Sequence, residues 1–433
     1  MQRWSVPVAT GPVDAEVAIP GSKSLTNRAL LLAALSDRPA LIANPLRARD
    51  TELMANALRA LGADIAETSA GGNGHHGWTV TPSRVVRGPA RIDCGLAGTV
   101  MRFVPPVATL TAGTDEPISF DGDPRARERP MQALIGALRA IGAGVEDGGR
   151  GTLPISVTGG TGVRGGAVRL DASASSQFVS ALLLTGARWP HGVAIQHVGR
   201  PMPSLPHIEM TLAALRRAGV SATEQDSDRW EVGPGPIRQP DTTVEPDLSG
   251  AAPFLAAALV TGGQVTISNL TAATLQPVAR LCEILEGVGA TWSYQQGGLT
   301  VTGTGRIGGL DADLRAVGEL VPVIVALASL ADAPSRLRGI ESLRGHETNR
   351  LAALASELTG LGGAVVETSD GLDITPRPLH AGVFRSHGDH RLAHAAAVIG
   401  LVTPGVEVDD IGVTTKTMPD FADRWQAMLG GRP

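Results

Sequence analysis

Cations recur in this chain where a helix is about to begin. Lys23, Ser24 and Arg28 stand in GSKSLTNR, Arg102 follows the glycines of CGLAGTVMR, Ser175, Ser176 and Gln177 stand in SASSQF, and Arg391 stands in GDHRLAH. A second series runs through Arg129 in RERP, Ser204 in PSLPH, Arg350 in HETNR and Lys416 in TTKTMPD. Free backbone N–H groups and the helix dipole at such a place already favour anions. A guanidinium adds a planar fork that grips carboxylate or phosphate through two parallel hydrogen bonds. Any one of these arginines alone reads as a solvated or ion-paired surface residue. Their recurrence at one point of successive segments points instead to a place for several negative charges.

Acids sit among these cations. Glu319 interrupts the otherwise apolar AVGELVPVIVALA, while Glu347 and Asp389 have basic neighbours. Each could simply complement a helix dipole, but a carboxylate facing an anion site could also act as general base on a substrate hydroxyl, and Glu319 is the best placed for that. His346 and His390 lie in charged segments and could donate hydrogen bonds to a ligand. Cys94 and Cys282 have no base nearby and read as buried, inert thiols. No Cys/His spacing suggests a metal site, so none is expected. CGLAGT lacks the strand, spacing and acid of a dinucleotide fingerprint and GSKS is not a Walker loop, so neither NAD nor ATP is expected as cofactor.

The elements that must position these residues repeat. A polar opening, an apolar helix, a short strand and an amphipathic helix ending in Gly recur about six times, at a period of roughly 70 to 80 residues. The openings start at Gly21, Cys94, Ser173, Glu245, Ala316 and Gly388. Strands rich in β-branched residues follow near Ala40, Pro117, Gly192, Gly263, Ser335 and Gly405. The amphipathic helices are clearest from Thr51, Met131 and Asn349, where Gly stands at the expected left-handed C-cap. Six units divide into two groups of three, with a break in RQPDTTVEPD, residues 238–247. Residues 71–77 read as a Gly/His loop without chemistry. Parallel units would bring the polar openings to one face of each domain, and the two faces would form a cleft.

The bulk numbers agree with a two-domain globular protein: 433 residues, 43% hydrophobic and 18% charged. A net charge of -5 gives no general pull towards nucleic acid or anionic membrane. Aromatic residues are 3%, too few for a base-stacking surface, which argues against a nucleic-acid binder. The longest apolar runs, about a dozen residues, fall short of the ~20 that span a bilayer. Two cysteines and no signal peptide fit a reducing cytoplasm.

Together GSKSLTNRAL, LAGTVMRF, RERP, SASSQF, PHIEMT, GHETNRL, DHRLAHA and TTKTMPDF resemble the motifs of the 5-enolpyruvylshikimate-3-phosphate synthase family, in order over nearly the whole chain. The resemblance implies an α/β fold of two similar domains, each of three βαβαββ repeats, with the active site in the cleft between them. Residues 20–246 would form one domain, on the shikimate 3-phosphate side, and residues 1–19 with 247–433 the other. It implies transfer of the enolpyruvyl group of phosphoenolpyruvate to the 5-hydroxyl of shikimate 3-phosphate, without cofactor, by a cytoplasmic monomer.

Carried over by motif, Lys23, Ser24, Arg28, Ser175, Ser176, Ser204, Glu319 and His346 would hold shikimate 3-phosphate. Lys23, Gly98, Arg129, Gln177, Arg350, Arg391 and Lys416 would hold phosphoenolpyruvate. Glu319 would take the hydroxyl proton, with Lys23 or Glu347 protonating C3, and closure of the domains would complete the site. Asn349, Leu96 and His346 depart from the family's commoner Asp, Asn and Lys. Gly98 resembles members inhibited by glyphosate. The rival is the sister transferase acting on UDP-N-acetylglucosamine, but the corresponding loop, GDPRARERP, lacks that family's reactive Cys.

Overall fold

The repeat in the sequence is a repeat of helix pairs in a computed structural model, which describes residues 3–69, 76–83, 85–111, 116–295 and 297–430. Much of the stretch at 71–77 lies outside the described residues. In chain order the helices are α1 (Lys23–Ala34), α2 (Arg49–Ala60), α3 (Gly98–Ala108), α4 (Gln132–Ala140), α5 (Gln177–Gly186), α6 (Pro206–Arg217), α7 (Leu248–Thr261), α8 (Val278–Gly287), α9 (Val321–Ser329), α10 (Arg350–Gly360), α11 (His390–Gly400) and α12 (Phe421–Leu429). Each polar opening leads into an odd-numbered helix, and each even-numbered helix is the amphipathic partner.

The stop signal of the even helices works as its chemistry requires. Gly62 after α2 and Gly142 after α4 have φ of 108° and 98°, which a side chain would strain. The following amides return to the third-last carbonyl of each helix, Ala63 to Leu58 and Ala143 to Leu138 at 3.0 Å. The same bond closes α6, α8 and α10. Odd helices are apolar nearly all round and therefore buried: Leu30, Leu31 and Leu32 of α1 are fully covered, and every residue of α11 is buried.

Each helix pair accompanies a small sheet. The strand Ala90–Asp93 lies parallel to Ile118–Asp121, which pairs antiparallel with Ile155–Thr158, and that in turn with Gly144–Glu146. The same order recurs in Gly166–Leu170, Val193–His197, Arg229–Val232 and Ala222–Asp226, and again in Asp311–Asp313, Ser335–Arg338, Leu372–Thr375 and Ala364–Glu367. Elsewhere the first strand arrives from far along the chain: Thr242–Thr243 beside Ala40–Ala43, and Asp14–Val17 beside Gln264–Ser268.

Contacts divide the chain into Gly21–Val244 and a second unit of Met1–Pro20 with Glu245–Pro433, each with its own hydrophobic core. The chain therefore crosses between units at Pro20 to Gly21 and again at Val244 to Glu245. Within each unit, α3, α5, α9 and α11 follow the carboxyl ends of their strands, where open α/β sheets leave room for ligands.

Candidate active site

In the unit Gly21–Val244 the expected residues fall into two linked groups. Lys23 and Ser24 occupy the first turn of α1. The Lys23 ammonium donates to Asp50 of α2 at 3.2 Å. One turn on, Arg28 is buried at 2% exposure and donates to Thr211 Oγ1 at 2.8 Å, to the Ser24 carbonyl at 3.1 Å and to the His207 carbonyl at 2.9 Å, while its guanidinium lies 5.2 Å over the Phe103 ring. Burial with only neutral partners pulls this guanidinium down to about 9.

The second group gathers at the start of α3. Gly98 opens that helix, and a Cβ there would stand 3.0 Å from Arg129 Nη2 and 3.1 Å from Gln177 Oε1. Arg129 donates to the Leu96 carbonyl at 3.3 Å, and Arg102 donates to Gln177 Oε1 at 2.7 Å. That bond fixes the amide, so the Gln177 NH2 is the end left to present donors. Asn27 of α1 donates to Thr99 of α3 at 2.7 Å, which ties the two groups together. Of the three serines, Ser175 Oγ accepts from the backbone N–H of Gln177 at 3.3 Å, Ser176 is buried, and Ser204 is held at φ 56°, a left-handed conformation unusual for a residue with a side chain.

In the other unit the expected residues form one network. Arg350 at the start of α10 is fully buried and touches four of them or their neighbours. Its Nε donates to Asp389 at 2.7 Å, Nη1 to Glu319 at 3.2 Å with His346 Nδ1 at 3.1 Å, and Nη2 to Glu347 at 3.0 Å. Lys416, closing the 3-10 turn Ile411–Lys416, donates to the other Glu347 oxygen at 2.6 Å. Arg391 pairs with Glu319 at 2.5 Å and donates to Ser249 at 3.0 Å. Three cations, Arg350, Arg391 and Lys416, thus face three carboxylates, Glu319, Glu347 and Asp389.

The electrostatics follow from this packing. Burial works to raise the Glu319 carboxyl, but Arg391 and Arg350 outweigh it and hold it well below the usual carboxylate range. Burial likewise works against a charged Arg350, and Asp389, Glu347 and Glu319 outweigh it and push that guanidinium above its ordinary value. Arg350 and Arg391 stand at helix N-termini, where the dipole disfavours cations. The carboxylates compensate, and a bound anion would do so again.

Other candidates separate from the chemistry. His390 is 1% exposed and lies edge-on to His394, so its ring belongs to the core rather than to a ligand. Cys94 and Cys282 are buried; burial raises the Cys94 thiol far out of reach and takes Cys282 to about 11. Among the described residues no group of three His, Cys, Asp or Glu is placed to hold a metal, and no helix is long and apolar enough to cross a membrane.

Sequence reasoning missed two supports and read half the role of a third. Asp50 reads as an ordinary first-turn acid of an amphipathic helix, yet it is 2% exposed and holds Lys23. Asp389 does complement its helix, accepting from the Arg391 amide at 2.9 Å, and also anchors Arg350. Ser249 links Arg391 to Asp247, its hydroxyl donating to that carboxylate at 2.6 Å. The opening EPDLSGAA carries no cation, which is why its acid and hydroxyl went unassigned.

Comparison with known proteins gives one answer. The family model for EPSP synthase (3-phosphoshikimate 1-carboxyvinyltransferase) matches residues 8–425. A curated 3-phosphoshikimate 1-carboxyvinyltransferase from Kocuria rhizophila is 50% identical over 432 residues, 99% of this chain and 96% of the relative. EPSP synthase from Acinetobacter baumannii superposes with a TM-score of 0.79 at 24% identity, covering 99% of this chain and 98% of that one. The enolpyruvyl transferase NikO from Streptomyces tendae shares the fold at a TM-score of 0.77 and 17% identity, covering 98% and 96%.

Proposed function

We infer from this geometry how the chain, which belongs to the EPSP synthase family, divides the work of its reaction among its residues. The reaction is transfer of the enolpyruvyl group of phosphoenolpyruvate to the 5-hydroxyl of shikimate 3-phosphate, releasing phosphate, a step of the shikimate pathway. It is an addition followed by an elimination. The observation that supports our assignment is that Glu319 shares its carboxylate with Arg391 and Arg350, the cations assigned to phosphoenolpyruvate.

A carboxylate so paired is a weak base. Phosphoenolpyruvate arriving at Arg350, Arg391 and Lys416 brings its own negative charges to those cations, which weakens their hold on Glu319 and raises its basicity. The base is then ready only when the acceptor for the new bond is present. Glu319 removes the 5-hydroxyl proton as that oxygen attacks C2, and C3 takes a proton. Both Glu347 oxygens accept from cations, at 3.0 and 2.6 Å. We therefore assign delivery of the C3 proton to Lys23, whose ammonium offers three donors. Arg129, Gln177, Arg350, Arg391 and Lys416 stabilise the carboxylate and phosphate of the tetrahedral intermediate, the contribution that usually dominates such catalysis. Ser24, Arg28, Ser175, Ser176, Ser204 and His346 hold shikimate 3-phosphate.

Phosphate release from phosphoenolpyruvate tests this reading. Release should require shikimate 3-phosphate and fall by about 100-fold or more in Lys23→Met. Release with UDP-N-acetylglucosamine and not with shikimate 3-phosphate would overturn it. Glyphosate is expected to compete with phosphoenolpyruvate. The 3.0 Å clearance from Arg129 at Gly98 leaves no room for a methyl group without shifting that guanidinium, so Gly98→Ala should raise the glyphosate inhibition constant more than the KM for phosphoenolpyruvate. Equal inhibition of both proteins would contradict that cause. We further propose that the enzyme works as a cytoplasmic monomer; sedimentation at working concentration checks the oligomeric state.

A further inference from the structure

The strands Gly166–Leu170 and Val193–His197 lie parallel, with Leu170 and His197 paired at their ends. Beyond them the chain leaves in two loops. One, after Leu170, carries Ser175 and Ser176 into α5. The other, after His197, carries Ser204 into α6, whose His207 carbonyl holds Arg28. Both loops lack regular strand or helix at the serines, so something other than a backbone ladder must fix their separation.

The His197 ring stands between them at 9% exposure. Its Nδ1 accepts from the backbone N–H of Ala172 at 3.1 Å, in the first loop. A backbone amide can only donate, so Nδ1 carries a lone pair and the proton of the neutral ring is on Nε2. That nitrogen donates to the Arg200 carbonyl at 2.9 Å, in the second loop. Ser173 donates to the same carbonyl at 3.0 Å, adding a second tie between the loops. Gly199 lets them approach: a Cβ there would fall 2.6 Å from Asp171 Oδ1 and 2.8 Å from Ser173 Oγ.

We propose that His197 is a positioning residue for shikimate 3-phosphate, its ring bridging the loop of Ser175 and Ser176 to the loop of Ser204 so that the three hydroxyls meet one substrate. The proposal rests on the reading that those serines bind that substrate. It does not make His197 a catalytic residue, since the ring spends both nitrogens on the backbone.

The experiment is steady-state kinetics of the full chain as His197→Leu, His197→Asn and His197→Gln, with Ser175→Ala and Ser204→Ala in parallel. Asn can keep the acceptor for Ala172 and Gln the donor for Arg200, so each retains one tie. His197→Leu should raise the KM for shikimate 3-phosphate about tenfold, with kcat and the KM for phosphoenolpyruvate within about twofold of wild type. The Asn and Gln variants should fall between. If Leu prevents folding, the Asn and Gln variants still decide, because each should raise only the one KM. A drop in kcat with both KM values unchanged, meaning less folded enzyme, would overturn the proposal, as would variants indistinguishable from wild type. If Ser175→Ala and Ser204→Ala leave the KM for shikimate 3-phosphate unchanged, it is the assignment of the serines that fails.

Discussion

The two units carry their cations differently. In Gly21–Val244, Lys23 has a carboxylate partner in Asp50, but Arg28 and Arg129 donate to neutral acceptors and have no carboxylate within ion-pair distance among the described residues. In the other unit Arg350, Arg391 and Lys416 are each paired with Glu319, Glu347 or Asp389. On the proposed function the first arrangement is an anion receptor, whose buried cations have neutral partners now and would gain a negative one when substrate arrives. The second is neutral before substrate arrives, so an incoming anion must compete with internal carboxylates. On the proposed mechanism that competition would release Glu319 and turn a resting ion pair into a base.

The sharpest way to break this contrast is to delete one cation from each side. Arg350→Met leaves Asp389, Glu347 and Glu319 buried or half-buried without their shared partner, and should cost about 3 to 5 kcal/mol in urea unfolding as well as abolishing activity. Arg28→Met removes a buried charge that nothing neutralises. Its stability should stay within about 1 kcal/mol of wild type or rise, while kcat/KM for shikimate 3-phosphate falls about 10- to 100-fold. If both substitutions destabilise equally, the distinction between receptor and balanced network is wrong.

A smaller effect sharpens the balanced side. Burial, with Arg391 and Arg350 nearby, keeps the His394 ring neutral down to about 3, against an ordinary value of 6.5. Between these the unfolded chain binds the extra proton. The contribution is therefore full above pH 6.5 and is lost as pH falls towards 3, at about 1.4 kcal/mol per pH unit. His394 stacks on Phe421 at 4.6 Å, so His394→Phe keeps the packing and should flatten that part of the stability profile. An unchanged slope would mean that the ring protonates in place.

The alternation of apolar and amphipathic helices, the glycine stops and the cation at three of the six openings were legible because each is a local chemical choice. Glu319 was legible because a charge in an apolar run needs a reason. Asp50 was not, because an acid in a first turn is what any helix prefers, and only its burial against Lys23 sets it apart. His390 misled because its charged neighbours in sequence face the site while the helix turns its own ring to the core. His197 carried no signal at all, since its partners are backbone groups 25 residues before it and 3 after it.

The release of Glu319 is the claim on which the rest turns, and a 13C-detected titration of its carboxyl, with and without saturating phosphoenolpyruvate, tests it directly. The expected midpoint lies well below the ordinary carboxylate value in the free protein and rises when phosphoenolpyruvate binds. A midpoint that is already ordinary in the free protein, or that stays put on binding, would contradict it.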